Sequence, residues 1–394
     1  MSDLFLTGIG ELVTNTGSPI ADAVVAVESG IVTYAGPAAD APDQAGQRHD
    51  CEGRAVVPGF VDAHTHLVFA GDRSGEFARR LAGESYADIA AAGGGILATV
   101  ASTRDASEDD LYRLAAARVW RMIQTGTTTI EIKSGYGLDL ATEHRQLAVA
   151  RRIGAELPVT VKTTFLGAHS VPPEFKGDRT GYVDLLVEEM LPALSPFADY
   201  CDVFVEQGVF DVGDARRIFS RAAELGLGAR VHAEQLGHTG GAGLAAEIGA
   251  VSADHLDHVT EDDAGALAAA GVAAVLVPGA SYTLRSQQAP GPMLAEAGCT
   301  IAIATDCNPG TSYFESIAPI LSLAVVQMGL TVDEAIRAAT LGGARSLGFD
   351  DRGFVAPGAV GDLVVLDAPS AAHLVYRPGA NLVRQTFKEG VAVA

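Results

Sequence analysis

Two histidines separated by a single residue are the first sign of chemistry in this chain. His64 and His66 follow the apolar run PGFVDA, which has the composition of a β-strand. Side chains two positions apart in a strand point the same way, so this pair can present two imidazoles to one metal ion. The pair alone is weak evidence, because two hydrogen-bonded histidines of a protein interior would have the same spacing.

Three further residues strengthen the metal hypothesis, because each lies at or near the end of another β-rich run. They are His232, His255 and Asp306. Three neutral imidazoles and one carboxylate, with a position left for water, suit Zn2+ or iron, and these ligand types do not separate the two metals. The set therefore predicts a metal-dependent hydrolase site.

Eight short β-rich runs alternate with Ala- and Leu-rich helical stretches. The runs cover residues 57–64, 127–134, 159–167, 202–207, 229–234, 251–256, 272–278 and 300–306. Such alternation is typical of the α/β class, and eight strands predict a closed TIM-like (β/α)8 barrel whose strands deliver the candidate ligands to one rim. A doubly wound open sheet is the alternative, but no G-x-G-x-x-G turn lies between a strand and a helix near the start of the chain.

Capping signals and the two ends of the chain complete the predicted organisation. Ser107 opens a helix with an S-x-x-D pattern, and Gly126 ends it. Residues 1–56 and 356–394 read as short strands with turns, and each segment alone is too small to bury a core. We predict that these segments pair into a small β-sandwich domain, while residues 57–355 form the barrel.

Composition limits the function classes. The 394 residues carry a formal net charge of -22, which repels nucleic acid and anionic membranes. An anionic substrate would therefore need a local positive patch. The N-terminus lacks a basic region before an apolar core, and the apolar run 271–280 is too short to cross a bilayer. Four scattered cysteines indicate neither a zinc knuckle nor a disulfide framework, so we expect a cytoplasmic protein.

Longer strings carry a resemblance to a known family. The pattern of H-x-H, His, His and Asp on four barrel strands is similar to the amidohydrolase superfamily. Within it, PGFVDAHTHLVFAGDR, IEIKSGYGL, TFLGAHSVPPEF, SADHL and ATDCNPGTS closely resemble the imidazolonepropionases, over almost the whole chain. The resemblance implies metal-dependent hydrolysis of the cyclic amide of 4-imidazolone-5-propanoate to N-formimidoyl-L-glutamate in histidine degradation.

The resemblance also implies roles for individual residues. Its metal ligands, for one Zn2+ or Fe ion, fall on His64, His66, His232 and Asp306. His255 would hydrogen-bond the water or the departing group, and Asp306 would carry the proton. The substrate-contacting positions fall on Arg73, Tyr136, His169, Asn308, Gly310 and Thr311.

Several of these positions keep a second interpretation. Arg73 can hold a propanoate tail by two parallel hydrogen bonds, or it can form an ion pair with Asp72 or Glu76. Tyr136 lies in a turn, which favours exposure at the rim over packing in the core. His169 can be an ordinary loop histidine.

Gln235 departs from the family pattern, and Lys133 is not assigned as a metal ligand. Gln235 stands where many members of the family carry Glu, so we predict that it orients the substrate instead of accepting a proton. Glu234 has low weight as a catalytic group, because it can equally support a ligand imidazole. Lys133 stays outside the ligand set, although a lysine at a strand end is carboxylated in some amidohydrolases.

Two rival functions remain open from the sequence. A deaminase or another cyclic-amide hydrolase would use the same metal site with different contacts at the rim, and an uncharged nucleobase would leave Arg73 without a partner. A metal-dependent binding or scaffold protein would not need an open metal position beside His255. The insertion at residues 74–106 is either a lid or a covering loop. A small anionic molecule and a second copy of the chain, as a homodimer, are the expected partners.

Overall fold

The computed structural model describes residues 2–42, 46–84, 88 and 93–394. In this part of the chain the strands form two separate eight-stranded sheets. One sheet is a parallel barrel, and the other is built from the two terminal segments. The insertion at 74–106 lies partly outside the described residues, so the choice between a lid and a covering loop stays open.

The barrel contains eight parallel strands in the order of the chain. They are β6 (Phe60–Asp62), β7 (Thr127–Lys133), β8 (Thr160–Ala168), β9 (Tyr200–Val205), β10 (Gly228–Ala233), β11 (Ser252–His255), β12 (Ala273–Leu276) and β13 (Ile301–Ile303). The ring closes just beyond β13 and β6, where Asp306 N donates to His64 O at 3.0 Å and His66 N donates to Cys307 O at 3.1 Å. This closure confirms the predicted barrel and excludes the open sheet.

Helices follow the barrel strands and cover their outer face. The helices of the described residues are Ser74–Leu81, Ile96–Asp105, Glu108–Gln124, Leu140–Glu156, Arg179–Leu185, Leu191–Leu194, Val212–Glu224, Gly241–Ile248, Glu261–Ala270, Pro278–Leu284, Gly291–Glu296, Ile317–Val326, Val332–Arg337, Gly343–Ser346 and His373–Tyr376, with π-helical turns at Leu186–Met190 and Ala338–Gly342 and 3-10 turns at Ala38–Asp40, Pro173–Phe175 and Ser195–Phe197. The Ser107 cap is confirmed, because its side chain accepts a hydrogen bond from Asp110 N at 3.1 Å. Gly126 adopts a φ of 96°, which suits glycine just beyond a helix end.

The terminal segments supply the second sheet. Its strands are β1 (Ser2–Leu12), β2 (Ile20–Glu28), β3 (Ile31–Pro37), β4 (Gly46–Asp50), β5 (Ala55–Pro58), β14 (Leu363–Leu366), β15 (Val383–Lys388) and β16 (Val391–Ala392). β5 joins the two halves, because it pairs with β1 on one side and β14 on the other. Apolar residues from both halves form one buried core. The exact division at residues 56 and 356 stays a prediction.

The strand predicted over 57–64 is in fact divided between the two sheets. Residues 57 and 58 belong to β5, and the barrel strand begins only at Phe60. The chain passes from one sheet to the other at Gly59, where a Cβ atom would collide with the Thr128 side chain. An apolar run of this length has no alternation that would reveal such a change of sheet.

The inner face of the barrel is charged instead of apolar. In β7 the side chains of Ile130 and Ile132 pack outward, whereas Glu131 and Lys133 point inward. Six buried ionisable residues form this charged layer below the rim: Asp62, Glu131, Lys133, Asp202, Arg230 and Asp254. Within the described residues, no helix is both long and apolar enough to span a bilayer.

Candidate active site

Three imidazoles and one carboxylate converge at the rim where the barrel closes. His66 Nε2 lies 3.2 Å from His64 Nε2 and 3.4 Å from His232 Nε2. Asp306 Oδ1 lies 3.4 Å from His66 Nε2 and 3.7 Å from His64 Nε2. The structure thus brings together the four predicted ligands, of which two lie in the segment after β6, one lies in β10 and one lies three residues after β13. We call this group the ligand cluster.

Carboxylates lie behind two imidazoles of the cluster. His64 Nδ1 lies 2.6 Å from Asp254 Oδ2, and His232 Nδ1 lies 2.9 Å from Asp202 Oδ2. A proton on His64 Nδ1, hydrogen-bonded to Asp254, leaves a lone pair on His64 Nε2. His232 Nδ1 is close to Asp202 Oδ2, but among the described residues it makes no hydrogen bond. Burial lowers the pKa of His64 and His232 well below the usual range, so both rings are neutral. One ligand atom each of His64, His66 and Asp306 lies within 4.8 Å of the other two, which is a donor set suited to a cation.

His255 lies beside the ligand cluster and belongs to an alternative set of ligands. Its ring centroid is 5.4 Å from that of His64 and 5.0 Å from that of His232. Among the described residues, two overlapping groups could hold a metal ion: His64 with His66 and Asp306, and His64 with His232 and His255. Burial lowers the pKa of His255 to about 4, which keeps this ring neutral near pH 7.

Two site residues are held in unusual backbone conformations. His255 has a φ of 77° and Asp306 a φ of 50°, although neither is glycine. His255 is the last residue of β11, and Asp306 lies three residues after β13. Such left-handed conformations at active sites persist only where the surrounding structure enforces them. Burial raises the pKa of Asp306 well above its usual range.

Tyr136 and His169 border the cluster on one side. The His169 ring stacks on His66 with centroids 4.9 Å apart and an angle of 18°, and His169 Nδ1 lies 3.0 Å from Gly135 O. Tyr136 is only 3% exposed and packs between His66, Phe69 and His169. The expectation of an exposed Tyr136 is therefore wrong, because the loop after β7 folds inward over the rim.

Glu143 and Gln146 hold that inward-folded loop. Glu143 Oε1 accepts hydrogen bonds from Gly137 N and Leu138 N, both at 2.8 Å, and Oε2 accepts one from Gly135 N at 3.0 Å. Gln146 Oε1 accepts from Tyr136 N at 3.2 Å. Neither residue was predicted from the sequence, where the only signal is a pair of polar side chains three positions apart near the start of the helix Leu140–Glu156.

Arg73 takes the ion pair that the sequence left as its alternative. Its Nε donates to Glu76 Oε2 at 3.0 Å, and its Nη2 pairs with Glu76 Oε1. Arg73 also packs against Gly310, where a Cβ atom would collide with its Nη1. Asn308 orders the same loop, because its Oδ1 accepts from Gly310 N and Thr311 N, both at 2.8 Å. The structure therefore places Arg73 beside the loop predicted to contact substrate.

Comparisons with known proteins agree with this geometry. The amidohydrolase family model matches residues 55–393. An imidazolonepropionase of Salinispora tropica is 48% identical over 99% of this chain and 99% of that protein, and one of Symbiobacterium thermophilum is 45% identical over 98% and 96%. The chain belongs to the amidohydrolase family.

Solved structures support the fold of this family member. A 5-methylcytosine deaminase of Klebsiella pneumoniae with bound 5-fluorocytosine has a TM-score of 0.78 at 16% identity, covering 99% of this chain and 97% of that one. An adenosine deaminase of Xanthomonas campestris with bound zinc has a TM-score of 0.71 at 21% identity, covering 99% and 92%. At these identities the likeness concerns the architecture alone.

A lysine of the charged layer connects the two orienting carboxylates of this amidohydrolase. Lys133 Nζ lies 2.9 Å from Asp202 Oδ2, 3.0 Å from Glu131 Oε1 and 3.7 Å from Asp254 Oδ2. Burial alone would lower the pKa of Lys133, but the charges of Asp202 and Glu131 raise it. A protonated amine in this position agrees with leaving Lys133 outside the ligand set. Arg230 Nη2 adds a further contact to Asp254 Oδ2 at 3.1 Å.

Glu234 and Gln235 have different surroundings in this amidohydrolase. Glu234 Oε2 accepts from Thr239 N at 2.6 Å, and its Oε1 accepts from Ala242 N at 3.0 Å. Those bonds satisfy backbone groups before and within the helix Gly241–Ile248, and they occupy both carboxylate oxygens of Glu234. Its low weight as a catalytic group stays a prediction. Gln235 follows it and is half-buried.

Proposed function

We propose that this amidohydrolase opens the ring of 4-imidazolone-5-propanoate by hydrolysis and releases N-formimidoyl-L-glutamate, a step of histidine degradation. The observation that carries this proposal is the 45–48% identity to imidazolonepropionases over nearly the full chain. In the proposal, His64, His66, His232 and Asp306 hold one Zn2+ or Fe ion. The short distances between these imidazole nitrogens and to Asp306 Oδ1 support this assignment, because imidazole and carboxylate are the ligands that such ions take in proteins.

A bound divalent ion would supply Lewis-acid activation of water and of the ring carbonyl. The chain supplies the remaining steps. Asp306 accepts a proton from the attacking water while the new C–O bond forms at the carbonyl carbon. His255, neutral and beside the cluster, donates a hydrogen bond to the oxygen that gains negative charge. Asp306 then returns the proton to the ring nitrogen as the C–N bond breaks, so that one water is consumed per ring opened.

The groups bordering the cluster would position the ring and its tail. Tyr136 and His169 present aromatic surfaces next to His66, and Gln235 supplies an amide for the polar ring edge. Arg73 binds the propanoate carboxylate through the Nη1 side of its guanidinium, since Glu76 occupies the Nε and Nη2 side. Asn308, Gly310 and Thr311 form the loop on which the tail lies.

A single assay tests the proposed activity. Purified protein of measured metal content is mixed with 4-imidazolone-5-propanoate, and the ultraviolet absorbance of the ring is followed. We expect loss of absorbance that stops after chelation and returns with Zn2+ or Fe2+. No loss with the metal-loaded protein, together with hydrolysis of a neutral ring, would instead identify a deaminase or another cyclic-amide hydrolase.

We also propose a homodimer located in the cytoplasm. All four cysteines are free and buried, as a reducing compartment allows. Two-fold assemblies are the commonest oligomers of soluble proteins. Light scattering after size-exclusion chromatography should give twice the mass of 40.5 kDa.

A further inference from the structure

Two arginines of the insertion after β6 approach the same glycine. Arg73 directly precedes the helix Ser74–Leu81, and Arg80 lies in its last turn. Positions 73, 76 and 80 fall on one face of a helix because they are three and four residues apart. Arg73 packs on Gly310, while Arg80 Nη1 donates to Gly310 O at 3.3 Å. We call Arg73, Glu76, Arg80 and Gly310 the guanidinium corner.

The hydrogen-bonding groups of the corner are unevenly used. Glu76 accepts two hydrogen bonds from Arg73 and one from Gly95 N at 2.8 Å, so both of its oxygens are occupied. Arg80 Nη2 is buried, yet within the described residues it has no hydrogen-bond partner. A buried guanidinium nitrogen without an acceptor is unfavourable, and an arriving carboxylate would relieve that cost.

The guanidinium corner has a net charge of one positive unit. Two guanidinium groups face one carboxylate in a chain whose formal net charge is -22. Burial and the nearby charge of Arg73 lower the pKa of Arg80, while Glu76 opposes that shift. Gly310 of the corner follows Asn308 by two positions, on the loop that begins with the proposed ligand Asp306. This is the local positive patch that an anionic substrate requires.

We propose that Arg80 is a second guanidinium contact for the substrate carboxylate, with Arg73 held in place by Glu76. The inference rests on the proposed function and deepens it, because it assigns the charge specificity of the site to two arginines. Arg73 offers its Nη1, which packs against Gly310 where a Cβ atom would collide with it, and Arg80 offers its Nη2, which has no hydrogen-bond partner among the described residues. A neutral tail would leave the excess positive charge without a partner.

The neighbouring residue Arg79 provides a matched control for Arg80. It differs from Arg80 by one position, which turns its side chain away from the corner. Its guanidinium pairs with Glu84 and its side chain is 43% exposed, so its charge is already balanced and solvated. Removing Arg79 therefore removes the same charge from the same helix without touching the corner.

The experiment compares two substrates and three variants. The substrates are 4-imidazolone-5-propanoate and its propanamide, which has the same shape without the charge. For Arg80→Met we expect KM for the propanoate to rise about tenfold or more, with kcat within about threefold of wild type. KM for the propanamide should change by less than about twofold. Arg79→Met should match wild type on both substrates. Arg80→Lys keeps the charge but loses the planar fork, so its KM for the propanoate should rise by a few-fold.

The outcomes separate this inference from the proposed function. Failure of the wild-type protein to open either ring would overturn the proposed function itself. With an active wild type, equal KM values for Arg80→Met and Arg79→Met on the propanoate would overturn the role of Arg80. An equal loss on both substrates would assign Arg80 a purely structural role and overturn it as well. If Arg80→Met fails to fold, as judged by circular dichroism, the Arg80→Lys values decide in the same way.

Discussion

The charged layer beneath the ligand cluster and the guanidinium corner at the rim are built in opposite ways. In the charged layer, residues from five different strands interact through the interior, and Asp202, Asp254 and Lys133 are fully buried. In the corner, Arg73, Glu76 and Arg80 belong to one short helical segment and meet a single loop. The layer is therefore set by the closed barrel, whereas the corner is set by local sequence.

This difference indicates a division of labour. Within the barrel, Asp254 is hydrogen-bonded to His64 and Asp202 lies beside His232, so both carboxylates are in place before any substrate arrives, which favours metal binding. The loops and short helices carry the residues proposed to contact the substrate, and such contacts can change without disturbing the barrel. Substitutions in or directly above the layer should therefore affect metal binding, turnover and stability together. Substitutions at the rim should affect mainly KM.

The largest effect is expected at Asp306, which lies where the two regions meet. Asp306→Asn keeps the shape and one oxygen for the metal but cannot accept the proton, so kcat should fall at least about 1000-fold. Asp306→Ala should be similarly inactive. Metal analysis of both proteins, alongside the ultraviolet assay, separates loss of the proton acceptor from loss of the ion. An Asp306→Asn protein with metal bound and kcat within about tenfold of wild type would contradict the role of proton carrier.

Lys133→Met should give the next largest effect, through the charged layer. Removal of the amine leaves Glu131, Asp202 and Asp254 with less positive charge in a dry interior. We expect the free energy of unfolding to fall by about 3–5 kcal/mol and metal affinity to fall about 10–100-fold. Urea denaturation and competition with a coloured chelator measure the two quantities.

Lys162→Met is the control for that prediction. Lys162 pairs with Asp199 at 3.3 Å, but its side chain is 28% exposed and lies away from the cluster. Lys162→Met should lower the free energy of unfolding by less than about 1 kcal/mol. Equal losses of stability and metal affinity in the two variants would show that the layer does not set the geometry of the ligands.

The sequence predicted the barrel and the ligand cluster more fully than their surroundings. Each barrel strand was predicted because short apolar runs bounded by turns are a local signal. The two-residue spacing of His64 and His66 likewise predicted that their side chains point the same way. The partners of Lys133 were not found, because its contacts to Asp202 and Asp254 join residues far apart in the chain. A usable signal existed, since charged residues alternate with apolar ones in β7 and β10. Which strand faces which across the barrel becomes known only once the ring closes.

The substitution Glu143→Ala tests whether the loop that carries Tyr136 needs the hydrogen bonds of Glu143. This loop lies between the charged layer and the rim. Glu143→Ala removes the acceptor of three backbone N–H groups, so stability should fall by about 3 kcal/mol and kcat/KM by about 10–100-fold as Tyr136 and His169 lose their positions. Denaturation and steady-state kinetics measure both. Glu156 lies at the exposed end of the same helix. Glu156→Ala should change the free energy of unfolding and the activation free energy derived from kcat/KM by no more than about 1 kcal/mol each. Wild-type kinetics in a destabilised Glu143→Ala protein would show that the loop needs no such support.

Gln235 gives the smallest and most diagnostic effect at the rim. Gln235→Ala should raise KM by about 3–10-fold and leave kcat within about twofold, because one neutral hydrogen bond to the ring is lost. Leu236→Ala, at a 59% exposed neighbour, should behave as wild type. Gln235→Glu asks whether a base is missing at this position. In the proposed mechanism Asp306 carries the proton, so the added carboxylate should not raise kcat. An increase of more than about fivefold would mean that proton transfer is shared between the rim and the ligand cluster, and the division between the two regions would fail.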